Sequence, residues 1–268
     1  MSESAENAIE VYNLEWAYNG EKLFDGLNIK IQKNRFYCII GPNGSGKTTL
    51  IRNIARSLSP GIGKVFINGS DIMDMKYRDI ARSVAMVPQT TSIDFDFSVM
   101  EIVLMGRMPY VKRFQSESQY DLEVTRLSME DANIWHLRDK NINQLSGGER
   151  QRVILARGLA QEADILLLDE PVSQLDIHHQ VGLMDLIRTL VNDDGKTAIA
   201  VLHDLNLAAA YSDIIVLMNK GEIISVGSPA EVLTKDTLEA VYNINVSVIK
   251  NPVNGRPHVI TVGARRQE

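Results

Sequence analysis

A glycine-rich turn between an apolar strand and an amphipathic helix constrains this chain more than any other feature. The strand ends near Ile40, and the amphipathic segment that follows the turn spans residues 49–55. Glycines let successive backbone N–H groups converge on one anion, and the helix N-terminus adds the positive end of its dipole. The spacing G-x-x-x-x-G-K-T therefore predicts a triphosphate-binding loop. Its predicted nucleotide contacts are Gly41, Pro42, Asn43, Gly44, Ser45, Gly46, Lys47, Thr48 and Thr49.

Two side chains at the end of this turn carry the chemistry expected of an ATP site. Lys47 supplies a mobile cation for the β and γ phosphates, and the Thr48 hydroxyl can occupy one position of a Mg²⁺ octahedron. A glycine turn without any ligand is the structural alternative. The strand before the turn and the helix after it favour the phosphate site.

Composition excludes several classes of protein. A chain of 268 residues, 44% of them hydrophobic, can bury a sizeable core and is not expected to be disordered. The net charge of −6 provides no general attraction for nucleic acid, so we expect no nucleic-acid partner. The single cysteine, Cys38, excludes a disulfide scaffold and reads as a small buried hydrophobe in the apolar strand.

Membrane association would have to go through a partner protein. Residues 1–7 are acidic and polar, so they do not have the character of a signal peptide. No apolar run approaches the ~20 residues that span a bilayer.

The N-terminal part shows the pattern of β-strands. Asn19-Gly20 is the predicted turn between the first two strands, and Tyr18 stands directly before it. An aromatic close to a nucleotide site can stack on adenine, although an aromatic at a strand end more often only packs. Gln89, after the last of these strands, either points into a site or begins a loop. Predicted strands cover residues 9–14, 27–31, 35–40, 64–67 and 83–87.

Residues 98–160 form a helical insertion in the otherwise α/β pattern. The spacings Ser98-x-x-Glu101 and Ser116-x-x-Gln119 predict capping boxes at two helix starts. Gly106 is predicted to end the first helix and to leave residues 107–110 in a loop.

The stretch Leu145-Ser146-Gly147-Gly148-Glu149 predicts another helix start, again with capping-box spacing. A cap without function has the same spacing. The two glycines weaken the first helical turn by roughly 1 kcal/mol each relative to alanine, while exposing backbone amides to an anion. Because the glycines lower helix stability and expose amides at the positive end of the helix dipole, they favour a second phosphate contact.

Two apolar strands end in polar side chains suited to chemistry. Residues 164–170 read as a strand buried on both faces, ending in Asp169 and Glu170 at the carboxyl edge where α/β ligands bind. Asp169 can hold Mg²⁺, and Glu170 can orient or deprotonate an attacking water. The strand 197–202 ends in His203, a candidate donor to a γ phosphate, although a strand-end histidine is more often structural.

The C-terminal part predicts two further hairpins and no obvious chemistry. The first closes around residues 219–221, and a helix with proline at its first position starts at Ser228. The second lies within the tail, residues 246–262.

In this order, the stretches resemble the nucleotide-binding subunits of ABC transporters over nearly the whole chain. The resemblance implies an α/β fold, a P-loop NTPase (RecA-like) core with an antiparallel β subdomain and a helical insertion. It divides the chain into an ATP-binding domain over 7–245, with a helical subdomain at about 92–156, and a C-terminal tail over 246–268. Val172 departs from the family's more frequent threonine, which removes a hydroxyl but no acid. The stretches that carry the resemblance are residues 41–48, Gln89, residues 145–149, Asp169-Glu170, residues 173–176 and His203.

The family further implies a head-to-tail dimer that sandwiches ATP between one subunit's phosphate loop and the other subunit's signature, Leu145–Glu149. The helical insertion becomes the docking surface for a membrane permease, and we expect residues 107–110 to touch that permease. The implied catalytic residues are Lys47, Gln89, Glu170 and His203. The implied nucleotide contacts beyond the loop are Tyr18, stacking on adenine, and Ser146, Gly147, Gly148, Glu149 and Asp176. The implied Mg²⁺ ligands are Thr48, Gln89 and Asp169.

Within the family, the chain resembles importers of iron siderophores, haem and vitamin B12. This implies an ATPase at the cytoplasmic face of the membrane, coupled to a multi-span permease and indirectly to an external substrate-binding protein. The cargo itself is not encoded in an ATP site. The segments concerned are residues 106–110, 175–180, 203–208 and 233–257.

Two other functions remain as alternatives. Soluble ABC ATPases of DNA repair carry long coiled coils between phosphate loop and signature, and those of translation carry two cassettes in one chain; this sequence has neither. A nucleotide-binding regulatory subunit without turnover is disfavoured by Glu170 and His203.

Overall fold

The computed structural model describes residues 7–89, 96–112, 115–173 and 175–264. The chain divides into two compact units: Met1–Asp74 with Thr197–Glu268 form unit 1, and Met75–Lys196 form unit 2. Three parts of the sequence predictions lie outside the described residues: the start of the helical subdomain at 92–95, Gln174 in the 173–176 loop, and residues 265–268 of the C-terminal tail. In the described part of the chain, no helix is both long enough and apolar enough to cross a bilayer.

Unit 1 contains an antiparallel sheet in the order β2-β1-β4-β5. The predicted turn between its first strands is confirmed: Asn19 and Gly20 have φ values of 50° and 86°, the two positive angles of a type I′ turn. Both strands are longer than predicted and pair over their whole length, with bulges. The strands are β1 (Asn7–Tyr18), β2 (Glu21–Gln32), β4 (Val65–Ile67) and β5 (Ser70–Asp71).

A second group of strands in unit 1 lies side by side in the order β10-β9-β3-β8. The central strand β3 (Phe36–Ile40) is buried at every residue and runs parallel to both neighbours. It leads into helix α1 (Lys47–Ile54), so the glycine turn stands at a helix N-terminus as predicted. The other strands are β8 (Thr197–Val201), β9 (Ile214–Asn219) and β10 (Glu222–Gly227).

The tail hairpin predicted at the C-terminus is confirmed, and it is anchored within unit 1. Its strands β11 (Ile244–Lys250) and β12 (Pro257–Ala264) pair antiparallel. Arg256 donates from Nη1 to the carbonyls of Ala209 and Ser212, at 2.8 and 2.7 Å, and so caps the end of helix α7 (Leu205–Tyr211). The remaining helices of this unit are α8 (Pro229–Val232) and α9 (Lys235–Tyr242).

Unit 2 is mainly helical, with two parallel strands that pair in register from Val84 and Ile165 to Val87 and Leu168. Short 3-10 turns cover Met105–Arg107, Trp135–Leu137 and Ile142–Gln144. The elements are α2 (Tyr77–Ser83), β6 (Val84–Val87), α3 (Val99–Leu104), α4 (Gln119–Asp131), α5 (Gly147–Ala160), β7 (Ile165–Asp169) and α6 (Ile177–Asn192).

Two sequence predictions within the insertion are wrong in detail. The cap of α4 is Ser118 rather than Ser116. The Ser118 hydroxyl accepts from the Asp121 N–H, and the Asp121 carboxylate accepts from the Ser118 N–H, so the capping box lies two residues later than predicted. Gly106 does not end a helix into a loop. It lies buried in the 3-10 turn, where a Cβ would stand 2.3 Å from the Arg157 carbonyl oxygen.

Candidate functional site

The phosphate loop of unit 1 adopts a backbone that needs glycine. Gly44 and Gly46 have φ values of 77° and 100°, in the left-handed region that other residues enter at a cost. Gly46 is the N-cap of α1, and a Cβ there would stand 2.5 Å from the Phe24 ring. A side chain at Gly46 would therefore both strain the backbone and collide with Phe24, whereas one at Gly44, with open space around it, would only strain the backbone.

Polar groups of the loop are arranged for a nucleotide. Lys47 is 6% exposed, and its Nζ donates to the carbonyls of Gly41 and Pro42, each at 2.9 Å. Ser45 is 2% exposed, and among the described residues its Oγ has no hydrogen-bond partner. A buried hydroxyl without a partner is costly in a folded protein, and a phosphate oxygen would satisfy it. The donor set of the loop thus fits a triphosphate.

The hairpin of β9 and β10 supports the phosphate loop. The sequence analysis did not predict this support. Gly221 in its turn donates from its N–H to the Ser45 carbonyl at 3.1 Å. A Cβ on Gly221 would stand 1.6 Å from the Leu23 carbonyl oxygen, and one on Gly41 would stand 2.1 Å from the Met218 carbonyl oxygen. These approaches explain the glycines, but only the fold brings the segments together.

Tyr18 lies close to the start of α1. Its hydroxyl is 3.4 Å from the Thr49 Oγ1, and its ring meets Trp16 edge to face with 6.0 Å between centroids. The side chain is partly packed, and the residue remains 45% exposed. An exposed aromatic face beside the phosphate loop is compatible with adenine stacking.

In unit 2, the ends of neighbouring parallel strands bring two predicted residues together. Gln89 follows β6 and Glu170 follows β7, and the Gln89 Nε2 donates to the Glu170 Oε2 at 2.5 Å. Asp169, the last residue of β7, is 1% exposed. Glu170 has a φ of 51°, an uncommon angle for a non-glycine residue that turns the chain sharply after the strand.

The signature starts helix α5 with the predicted capping box. Ser146 accepts from the Glu149 N–H at 3.3 Å, and the Glu149 carboxylate accepts from the Ser146 N–H at 2.8 Å. This backbone hydrogen bond holds the pKa of Glu149 below its usual value. Gly148 also has a packing reason, because a Cβ there would come within 3.2 Å of the Leu175 Cδ2. Gly147 at the helix tip is exposed, while the Glu149 N–H and carboxylate both serve the cap.

Asp176 and His203 occupy helix-start positions. Asp176 caps α6: its Oδ1 accepts from the His179 N–H at 3.0 Å, and the His179 ring Nδ1 lies 2.9 Å from the same carboxylate. The hydrogen bond from the His179 N–H holds the pKa of Asp176 below its usual value. His203 stands exposed in unit 1, just after β8 and directly before Asp204, which caps α7.

The expected exposure of residues 107–110 holds only in part. Arg107 is 1% exposed and forms ion pairs with Asp121 and Glu162, so it cannot touch a permease from this position. Met108 in the same segment is 68% exposed. The sequence analysis predicted a surface loop at Arg107 because Asp121 and Glu162, the carboxylates that pair with it, are distant along the chain.

Comparison with known proteins settles the family. The sequence profile of ABC transporters matches residues 24–173, more than half of the chain. The chain belongs to the ABC transporter family. The ferric enterobactin transport ATP-binding protein of Escherichia coli is 37% identical over 250 residues, covering 93% of this chain and 92% of that protein. The iron(3+)-hydroxamate import ATP-binding protein of Bacillus subtilis is 34% identical over 262 residues, covering 98% and 97%.

Solved structures agree with this assignment. A chain described as a metal-chelate type ABC transporter in an inward-facing conformation is 28% identical with a TM-score of 0.83, covering 96% of this chain and 98% of that one. A dimeric bacterial ABC transporter cassette is 26% identical with a TM-score of 0.73, covering 82% and 98%. The predicted P-loop fold is confirmed, and the chain is an ATP-binding subunit that hydrolyses ATP to power transport.

Proposed function

We propose that this ABC subunit powers the uptake of an iron–siderophore complex or a related metal chelate. The supporting observation is the near full-length similarity to subunits named for ferric enterobactin and iron(3+)-hydroxamate transport. The metal-chelate type of the structural neighbour with a TM-score of 0.83 points the same way. A cobalamin import subunit of Halobacterium salinarum, 36% identical and spanned by this chain over 62% of its length, makes a corrinoid the second candidate cargo.

The working assembly that we propose is a dimer of this chain on a multi-span permease, at the cytoplasmic face of the membrane. An external substrate-binding protein would deliver cargo to that permease. A related cassette has been solved as a dimer, which supports the dimeric form. ATP would then lie between the phosphate loop of one copy and the Ser146 helix tip of the other.

Each predicted site residue then has a role in phosphoryl transfer. Residues 41–49 bind the phosphates through the Lys47 ammonium and through backbone N–H groups, of which Pro42 has none, and Tyr18 stacks on adenine. Thr48, Gln89 and the buried Asp169 provide oxygen ligands of the kind that Mg²⁺ prefers. When bound, Mg²⁺ neutralises charge on the β and γ phosphates. Ser146, Gly147, Gly148, Glu149 and Asp176 act toward the other copy's nucleotide.

Glu170 is the proposed general base, and Gln89 is the residue that controls it. Glu170 takes the proton of the water that attacks the γ phosphorus, and His203 donates to a γ-phosphate oxygen. In this structure, the Gln89 amide occupies one carboxylate oxygen of Glu170. A shift of Gln89 would remove this hydrogen bond from the proposed base, which gives a permease docked on unit 2 a way to affect hydrolysis.

The test combines uptake and turnover. We expect Glu170→Gln to slow ATP hydrolysis by ~10²–10⁴-fold while ATP still binds, because only the base is lost. Glu130→Gln, at an exposed glutamate of α4, is the matched control. A strain lacking the gene should lose uptake of ferric siderophore and regain it with the wild type but not with Glu170→Gln.

Purification of the intact complex tests the partner. A detergent extract in which the chain copurifies with a multi-span permease supports transport. Recovery with ribosomes or DNA instead would contradict it, and near-normal turnover of Glu170→Gln would refute the role of Glu170.

A further inference from the structure

Unit 2 contains a fully buried arginine that the proposed reaction does not use. Arg107 is 1% exposed. Its Nε donates to the Asp121 Oδ1 at 2.9 Å, and its Nη1 donates to the Glu162 Oε2 at 2.6 Å and to the Ala160 carbonyl at 2.7 Å. A charge removed from water is costly unless it is paired and hydrogen-bonded, so this geometry specifies one position for the side chain.

Two tyrosines enclose the guanidinium. The Arg107 Cζ lies 4.1 Å from the centre of the Tyr110 ring and 5.5 Å from that of Tyr120, both within cation–π range. The Tyr120 hydroxyl donates to the Glu162 Oε1 at 2.8 Å. We call Arg107, Tyr110, Tyr120, Asp121 and Glu162 the Arg107 cluster. Its members also bind one another, so the loss of one contact loosens the rest.

The cluster joins three segments at the C-terminal end of the signature helix. Arg107 follows α3, Asp121 lies in the first turn of α4, and Glu162 follows α5. The Tyr110 hydroxyl adds a bond to the Gln161 carbonyl at 2.9 Å. Gly106 lets the turn after α3 approach α5 directly, since even a methyl group would collide with the Arg157 carbonyl.

The same end of α5 also holds the start of the strand that leads to Gln89. The Gln161 side-chain amide donates to the Val84 carbonyl at 2.7 Å and to the Ala81 carbonyl. These carbonyls belong to the end of α2 and the start of β6, and Gln89 follows β6. The signature and Gln89 therefore lie at the far ends of two elements that share one anchor.

We propose that Arg107 is a positioning residue for the ATPase reaction. It ties the turn after α3 to the start of α4 and the end of α5, where Gln161 in turn holds the start of β6, so that the helix tip at Ser146 is presented to the other copy's nucleotide in a fixed direction. This inference rests on the proposed ATP-sandwich dimer. A purely structural role would lower stability alone. A positioning role weakens ATP-driven dimerisation while nucleotide binding by the phosphate loop of unit 1 is retained.

The experiment uses the full chain with Glu170→Gln as the parent, so that bound ATP persists. Arg107→Lys keeps the charge but cannot reproduce the forked contacts with both carboxylates. Glu162→Gln and Tyr110→Phe each remove only part of the cluster and are the milder variants. Arg126→Lys is the matched control, because Arg126 also bridges two glutamates, Glu123 and Glu130, on the exposed face of α4.

Three quantities are measured for each variant: urea stability, ATP affinity of the monomer, and the dissociation constant of the ATP-bound dimer by sedimentation. We expect the Arg107→Lys dimer to be weaker by about tenfold, within the range usual for coupled sites. The milder variants should show smaller shifts in the same direction. ATP affinity should stay at the parent value, and Arg126→Lys should match the parent in all three measurements.

The dimer dissociation constants decide whether Arg107 has a positioning role. If the cluster variants dimerise with ATP as tightly as the parent, the positioning role of Arg107 is wrong and the proposed function stands. If Arg107→Lys does not fold, Glu162→Gln and Tyr110→Phe decide by the same comparison. A parent that stays monomeric with ATP overturns the proposed sandwich dimer and, with it, this role of Arg107.

Discussion

The turn at Gly221 provides the sharpest test of how the phosphate loop is supported. Gly221 has a φ of 81° and follows Lys220 at 46°, which is the same type I′ turn as Asn19-Gly20, where Gly20 has a φ of 86°. The two glycines differ in their surroundings. A Cβ on Gly20 meets nothing within 4 Å, whereas one on Gly221 would stand 1.6 Å from the Leu23 carbonyl oxygen.

The pair of alanine substitutions therefore separates backbone strain from collision. Gly20→Ala carries only the strain of a left-handed alanine, about 1–2 kcal/mol. Gly221→Ala adds the displacement of the β2 backbone, for which overpacking costs about 1–3 kcal/mol more. Its total loss of unfolding free energy is thus about 2–5 kcal/mol.

Gly221→Ala should also weaken ATP binding. Because the Gly221 N–H donates to the Ser45 carbonyl, moving this turn costs a hydrogen bond of about 0.5–1.5 kcal/mol, which lowers ATP affinity by up to about tenfold. Urea unfolding and ATP titration of both variants measure the two effects. Equal stability losses for Gly20→Ala and Gly221→Ala, with unchanged ATP affinity in both, would refute this account of loop support.

Three further predictions concern local features. Ser118→Ala should lower the free energy of unfolding by about 1 kcal/mol by removing the cap of α4, and Ser116→Ala should leave it within about 0.5 kcal/mol; equal effects in urea unfolding would contradict the assigned cap. Burial raises the pKa of Cys38 to about 12, so the thiol of the native protein should resist alkylation at neutral pH. The stability that Cys38 contributes, measured relative to Cys38→Ala, should be fully present below pH ~8.5, where the thiol is protonated in both states. It should be lost as the pH rises toward 12, because only the unfolded thiol ionises in that range. Rapid alkylation of the native thiol would count against this. Gly106→Ala should cost about 1–3 kcal/mol because of the Arg157 carbonyl, whereas Gly182→Ala in α6, with open space around it, should gain about 0.5–1 kcal/mol; calorimetry of both distinguishes them.

Local signals allowed much of the fold to be predicted. The phosphate loop, the cap at Ser146 and the turns at Asn19-Gly20 and Lys220-Gly221 are set by residues within a few positions of one another. The capping serine of α4 was missed because Ser116 and Ser118 both have polar residues three positions on. Only the fold shows that Asp121 completes the box.

Long-range contacts could not be predicted in the same way. Arg107 beside a proline and a tyrosine is typical of a surface loop, and its burial depends on Glu162, which is 55 residues away in sequence. The support of Ser45 by Gly221 likewise depends on the return of β9 beside β3. Gln89 was likewise left open between a site and a loop start, because the sequence did not show that its strand pairs with the strand before Glu170, which brings the two side chains within hydrogen-bond distance.

The central claim is that each ATP is bound by the phosphate loop of one copy and the signature of another. It is tested most directly by mixing a Lys47→Ala chain with a Ser146→Arg chain, both carrying Glu170→Gln, and counting the ATP retained per dimer. The two chains can together form one complete site, although neither can form one alone. We therefore predict one retained ATP per mixed dimer and none in either variant by itself. A mixture that retains no more ATP than the separate variants would contradict the claim.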